Sequence, residues 1–216
     1  MWEPTKPAPP VINTRMAPTL GPAGRACRLD VGVVTEPSDS DRPAGRYGDS
    51  MEHSAQRLGR ALIVIVDDRV AHGEHEDTVG SLVVELLEEA GFIVDGVVVV
   101  AGETVDIRNA LNTAVIGGAD LVVTVGGTGV SPRDVTPDAT QGVLDRPIPG
   151  IAEALRSSGL AAGAVDAGIS RGLVGVSGST LVVNLAGSRS AVRDGMATLS
   201  ALVPYVIGEL SGLDGN

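Results

Sequence analysis

Between Leu121 and Thr140 the chain reads LVVTVGGTGVSPRDVTPDAT, an apolar strand that runs straight into glycines, hydroxyls and carboxylates. Gly126, Gly127 and Gly129 allow positive φ and bring bare N–H groups close to a ligand, while Thr128 and Ser131 add hydroxyl donors. That is the makings of an anion cradle. Asp134 and Asp138 follow four residues apart, with Pro137 between them where a helix can begin, so Thr136 or Asp138 stands near an N-terminal cap. Phosphate donors and metal-binding carboxylates would then share one pocket.

Two absences narrow the chemistry further. Lys6 is the sole lysine and Cys27 the sole cysteine, and both precede the first apolar run. The remainder has no lysine for a Walker-type loop or a Schiff base, and no thiolate for nucleophilic attack or a structural zinc cluster. Phosphate must be held by backbone, hydroxyl and arginine. His72 and His75 lie among Glu74, Glu76 and Asp77, a spacing that allows a metal site but equally suits solvated loop residues. No nucleophile motif of the GxSxG kind accompanies any histidine, so a serine triad has no support.

The elements that must position these groups alternate along the chain. Apolar runs at 61–66, 93–100 and 120–125 are separated by helical stretches at 78–90 and 104–116, the first with Val79, Leu82, Val83, Leu86, Leu87 and Ala90 on one face. Continuous Val/Ile runs predict strands buried on both sides, hence a mostly parallel central sheet in a three-layer α/β/α sandwich. Gly91 and Gly117 are placed to stop the two helices. A helix at 150–158, strands at 173–176 and 180–185, and a helical region at 188–210 complete the pattern. Open α/β sheets bind ligands beyond the carboxyl ends of their strands, so the loops at 67–77, 101–104, 126–136 and 184–189 should meet in one crevice.

At 216 residues and 43% hydrophobic, the chain can bury one sizeable core. Residues 1–50 carry six basic and six acidic groups and eight of the thirteen prolines, with no sustained apolar period. They read as a disordered extension, or as a mis-assigned start, since Met51 stands just before the first strand and opens a 51–216 domain. The net charge of −11 therefore belongs to 51–216, a surface that repels nucleic acid. No apolar run is long enough for a membrane span and no leader pattern opens the chain, so a cytoplasmic protein is expected.

The run GGTGVSPRDVTPDAT, together with IVIVDDR…HEDTVG, ISRGLVGV and VVNLAGS, resembles the MoaB/Mog family of molybdenum-cofactor biosynthesis proteins, which includes the G domains of gephyrin and Cnx1. The resemblance covers roughly 61–210 and makes the glycine run a binding loop rather than a mere turn. It implies that Gly126, Gly127, Thr128 and Gly129 cradle the terminal phosphate of molybdopterin, with Ser131 beside them. Asp134 is implied as a catalytic, Mg²⁺-holding carboxylate, and Asp138 as either cap or pocket lining. Asp68, after the first strand, is either a solvated carboxylate or proximal to the ligand, Ser170 and Arg171 match a Ser-Arg pair offering a hydroxyl and a guanidinium, and Asn184, Gly187 and Ser188 match a turn that closes the pterin pocket. Ala186 and Arg189 stand where that turn usually carries prolines. Family members form homotrimers or homohexamers, so a homo-oligomer is expected.

One departure matters for activity. Adenylylating members carry a Pro-Asp pair after the second strand, and here the ungapped match is Ala101-Gly102, leaving Glu103 as the nearest carboxylate and the second expected catalytic group. The implied function is binding of molybdopterin and its adenylylation with ATP and Mg²⁺. The alternatives are a molybdopterin-binding scaffold without catalysis and, more weakly, a pterin-4-alpha-carbinolamine dehydratase-like activity.

Overall fold

The computed structural model of the protein describes residues 57–212. The extension at 1–50 and the alternative start at Met51 lie outside the described residues. Strand β1 (Gly59–Val66) leads through a one-turn helix α1 (Asp68–Ala71) into α2 (Gly80–Glu89), β2 (Phe92–Val100), α3 (Thr104–Ile116) and β3 (Leu121–Val125). There follow α4 (Thr136–Gln141), the short β4 (Arg146–Pro147), α5 (Pro149–Ala161), a 3-10 turn at Val165–Ile169, β5 (Val174–Ser177), β6 (Thr180–Leu185) and the long α6 (Arg189–Ser211).

The six strands form one sheet in the order β2-β1-β3-β6-β5-β4. The first four are mutually parallel, and β5 and β4 add antiparallel pairings at the far edge. One core packs α2, α5 and α6 against a face of the sheet through Leu87, Ile151, Met196 and Leu199, while the other face carries α3 and α4 on Val64, Val122 and Val182. Ile107 and Leu111 of α3 are fully buried there, each contributing about 1.5–3 kcal/mol of apolar transfer. The three-layer α/β/α sandwich read from the strand and helix alternation is the observed architecture.

Details differ from the sequence reading for identifiable reasons. Strand β2 is an edge strand, so its valine run is half-buried rather than covered on both sides, and Ile93 is exposed. The helix expected from 78 starts at Gly80 because the Asp77 carboxylate accepts the N–H groups of Val79 and Gly80 at 2.9 Å and holds the entry turn. The left-handed residue that ends α3 is Gly118 (φ +73°), with Gly117 still right-handed. Among the described residues no helix is long and apolar enough to cross a membrane.

The register decides where chemistry can happen. Val66 pairs with Val100, Ile65 with Val125, and Val125 with Leu185, so four parallel strands end in one row. The loops that follow them are the four expected to converge.

Candidate functional site

The turn after β3 is built by glycine. Gly126 (φ +104°) and Gly127 (φ +62°) are both left-handed, a conformation that costs an L-residue roughly 1–2 kcal/mol. Space is as restrictive as φ: a Cβ on Gly126 would strike the Val66 carbonyl oxygen, and one on Gly127 would stand 2.5 Å from Thr136 Oγ1. That hydroxyl is buried and donates to the Gly126 carbonyl at 2.8 Å, while the Thr136 N–H donates to the Gly127 carbonyl at 3.1 Å. Thr136 thus staples the turn rather than capping α4, whose N-cap is Val135 with no side-chain cap bond. Gly129 does not have positive φ. Its constraint is steric, since a Cβ there would lie 2.8 Å from Asp134 Oδ2.

The turn leaves donors unspent. The Gly126 N–H is taken by the Leu185 carbonyl, but those of Gly127, Thr128 and Gly129 have no protein acceptor among the described residues. Successive N–H groups of this kind form an anion-binding concavity. The Ser131 N–H is different, because it donates to Asp134 Oδ2 at 2.8 Å.

Arg171 fixes the loop from outside. Its Nε donates to the Gly129 carbonyl at 2.8 Å, a terminal nitrogen to the Asp134 carbonyl, and both terminal nitrogens to the Asp138 carboxylate at 3.1 and 3.0 Å. With its backbone N–H on the Thr128 carbonyl at 2.8 Å, the residue is a tie across the 128–138 segment. Asp138 accordingly serves as the partner of Arg171, and this pairing holds its carboxyl below the usual carboxylate range.

A second cluster joins three loops. Asp68 accepts the Gly102 N–H at 2.8 Å and, on its other oxygen, Nε and a terminal nitrogen of Arg133 at 3.1 and 2.5 Å. Arg133 also reaches Glu103 at 3.5 Å. Glu103 is 62% exposed and has no nearer cationic partner. The Gly102 N–H, aided by Arg133, keeps the Asp68 carboxyl below its ordinary pKa. A lowered folded-state pKa stabilises the folded form above the unfolded value of about 3.9 and loses that contribution as pH falls through the lower folded value. The Gly102 amide resonance should therefore titrate with a midpoint below the ordinary aspartate range, and Arg133→Ala should move that midpoint only part of the way back. A midpoint at the ordinary value in the native protein would contradict the contact.

The crevice itself lies between the ends of β1 and β3, the strands between which the chain reverses its winding. It is a cleft of about 400 Å³ whose walls include Asp67, Arg69, Glu76 and Asp77 on one side and Gly126, Gly127 and Gly187 on the other. That volume is within the range of small-molecule pockets. A smaller hollow of about 50 Å³ between α5, the 3-10 turn and α6 touches Ser170 and Asn184. Asn184 is buried and fully engaged: its oxygen accepts the Leu173 N–H at 3.0 Å and its nitrogen donates to Thr124 and Thr140 at 2.8 and 3.0 Å. Ser188 caps α6 by accepting the Ala191 N–H at 3.2 Å, and Ser170 accepts the Gly172 N–H at 3.3 Å.

The expected residues thus fall into three groups. Gly126, Gly127 and Gly187 border the cleft; beyond the glycine turn, Asp68 and Glu103 meet Arg133 while Thr128, Gly129, Ser131, Asp134 and Asp138 belong to the loop that Arg171 ties; Ser170, Asn184 and Ser188 shape the chain behind it. His72 and His75 hydrogen-bond to nearby carbonyls, and among the described residues no cluster of three or more His, Cys, Asp or Glu is placed to hold a metal. Thr136 is expected from sequence only as a helix cap, and nothing but position points to Arg133. The one signal for Arg133 was its place beside Asp134.

A doubly wound sheet whose strand ends carry a lysine-free turn of unspent N–H groups defines an α/β protein with a candidate anion site. Residues 62–205 match the family described as "Probable molybdopterin binding domain". The chain is 36% identical over 156 residues to molybdenum cofactor biosynthesis protein B of Bacillus cereus, a match covering 68% of this chain and 89% of that one. It is also 36% identical over 154 residues to the molybdenum cofactor biosynthesis bifunctional protein of Synechococcus elongatus, covering 71% of this chain and 48% of that one. The chain spans about half the length, or less, of that protein and the next curated relatives it matches. Among solved structures, a molybdopterin biosynthesis protein from Mycobacterium abscessus is 68% identical with a TM-score of 0.71, covering 73% of this chain and 99% of that one. MoaB from Thermus thermophilus is 37% identical with a TM-score of 0.67, covering 71% and 97%. The chain belongs to the molybdopterin-binding domain family and, within it, to the MoaB/Mog proteins of molybdenum-cofactor biosynthesis.

Proposed function

We propose that the protein binds molybdopterin through its terminal phosphate and transfers AMP to it from ATP. The observation that carries this reading is the set of unspent N–H groups at Gly127, Thr128 and Gly129, placed at the row of strand ends. In the reaction a phosphate oxygen of molybdopterin attacks the α-phosphorus of ATP. The bond from that phosphorus to the bridging oxygen of the β-phosphate breaks, and pyrophosphate leaves with the electron pair. No side chain need form a covalent intermediate, so the protein contributes position and electrostatics. A relative in Helicobacter pylori, 29% identical over 155 residues and covering 69% of this chain and 86% of that one, is named a molybdopterin adenylyltransferase.

Asp134 fits the role of a Mg²⁺ ligand through one unspent carboxylate oxygen. One carboxylate oxygen is occupied by the Ser131 N–H, and the other accepts no hydrogen bond among the described residues. Mg²⁺ is commonly held by one or two carboxylates together with substrate phosphates rather than by a protein cage. When bound, the ion would neutralise phosphate charge. Asp134 would hold that charge in register with the cradle, and the glycine turn would orient the acceptor phosphate. A cytoplasmic homo-oligomer is the setting this reading assumes.

A second reading, a binding protein without turnover, is favoured by Gly102, which offers a backbone N–H but no carboxylate after β2. Incubation of the purified protein with molybdopterin, ATP and Mg²⁺ separates the two. Adenylylated pterin and pyrophosphate in equal amounts are expected; tight pterin binding with neither product would leave the scaffold reading standing.

A further inference from the structure

The domain has several guanidinium groups near the cleft, and their partners differ in charge. Arg171 is bound to Asp138 and to two loop carbonyls, and Arg133 to Asp68 and Glu103. Arg69, which lines the cleft, forms no ion pair among the described residues. Neither does Arg189, the first residue of α6, whose one hydrogen bond runs across to the carbonyl oxygen of Thr78, in the segment that forms the opposite wall. Gly187, two residues before it, borders the cleft, and a Cβ there would stand 3.3 Å from Gly126 Cα, so Arg189 follows directly on the segment packed against the glycine turn.

The charge of the cleft makes this arrangement consequential. Asp67, Glu76 and Asp77 line it with His75 and a single arginine, Arg69, and a polyanion entering beside three carboxylates and one guanidinium meets net repulsion. A neutral carbonyl gives up a guanidinium to phosphate readily, because charge-assisted hydrogen bonds are roughly twice as strong as neutral ones. We propose that Arg189 is the specificity residue for the polyphosphate of a nucleoside triphosphate in the β1/β3 cleft, spanning the mouth when the cleft is empty and exchanging Thr78 for phosphate on binding. Arg171, in this arrangement, shapes the loop and does not receive the ligand.

The proposal rests on the nucleotide dependence of the preceding reading, but its test does not require turnover. ATP, inorganic tripolyphosphate and AMP are titrated calorimetrically, with Mg²⁺ in excess, into the full-length protein and into Arg189→Lys and Arg189→Gln. Gln can still donate to the Thr78 carbonyl but carries no charge; Lys keeps the charge. Affinity for ATP and tripolyphosphate should fall at least tenfold in Arg189→Gln and recover to within about threefold in Arg189→Lys, with AMP affected least. The salt dependence of tripolyphosphate binding should be shallower in the Gln variant, a change that loss of a structural contact alone would not cause. Equal affinities in the native and Gln proteins, equal losses in Gln and Lys, or no polyphosphate binding by the native protein would each overturn it. If polyphosphate binding depends on Arg189 but no adenylylated pterin forms, the binding inference stands and the adenylyltransferase reading fails.

Discussion

Gly127→Val is expected to abolish binding of molybdopterin or a phosphate analogue, with affinity falling at least hundredfold, about 2.8 kcal/mol at roughly 1.4 kcal/mol per tenfold. Two physical effects combine. At φ +62° a β-branched residue is a severe outlier, and the new Cβ would stand 2.5 Å from the buried Thr136 hydroxyl, which would have to release the Gly126 carbonyl. The turn would then rotate its N–H groups away from the ligand. Gly127→Ala meets the same Cβ contact without the branch and should lose less. Calorimetry gives the affinity, and circular dichroism with thermal melting shows whether the sandwich survives. Because the two cores lie on the sheet faces and not in the turn, the fold should persist with a lower melting point. Unchanged binding by a folded Gly127→Val protein would remove the turn from the site.

Much of this was legible in the sequence because the signals were local. Strand β6 spans 180–185, the bounds read from the sequence, and the sandwich follows from continuous apolar runs alternating with amphipathic helices. The resemblance located the glycine turn. Pairings between side chains distant in sequence were not legible. That Arg133 would hold Asp68, 65 residues away, or that Arg171 would spend its donors on Gly129, Asp134 and Asp138, depends on the register of strands whose order no local pattern states. Asn184 shows the same limit from another side: its residue type suits a polar pocket, yet its place on a strand buried along its whole length gives it Thr124 and Thr140 as partners. Polarity in a motif identifies a group that must be satisfied, and only the packing says by what.

The carboxylates of the β2 and β3 loops should separate sharply in their effect on turnover. Asp134→Asn keeps an oxygen to accept the Ser131 N–H, which lies 2.8 Å from the native carboxylate, so the loop retains its shape and the charge alone is lost. A decrease of about hundredfold in kcat, roughly 2.7 kcal/mol of barrier, with pterin affinity nearly unchanged, is the expected result. Glu103→Gln should cost less than about threefold, since Glu103 is 62% exposed and its ion-pair contact with Arg133 is 3.5 Å long, the range of weak surface pairs worth about 0–1 kcal/mol. Gly102→Asp is the informative third variant. A Cβ at 102 would lie 3.5 and 3.8 Å from the two Asp68 oxygens and 3.3 Å from the Arg133 carbonyl, so an added carboxylate arrives beside one that already holds Arg133. Alone it should bring no gain. Combined with Asp68→Asn, which relieves the like-charge contact, it should raise turnover by at least tenfold if a carboxylate after β2 is what native catalysis lacks. Should Glu103→Gln silence the protein while Asp134→Asn leaves it active, the catalytic charge lies on the β2 loop and the assignment to Asp134 is wrong.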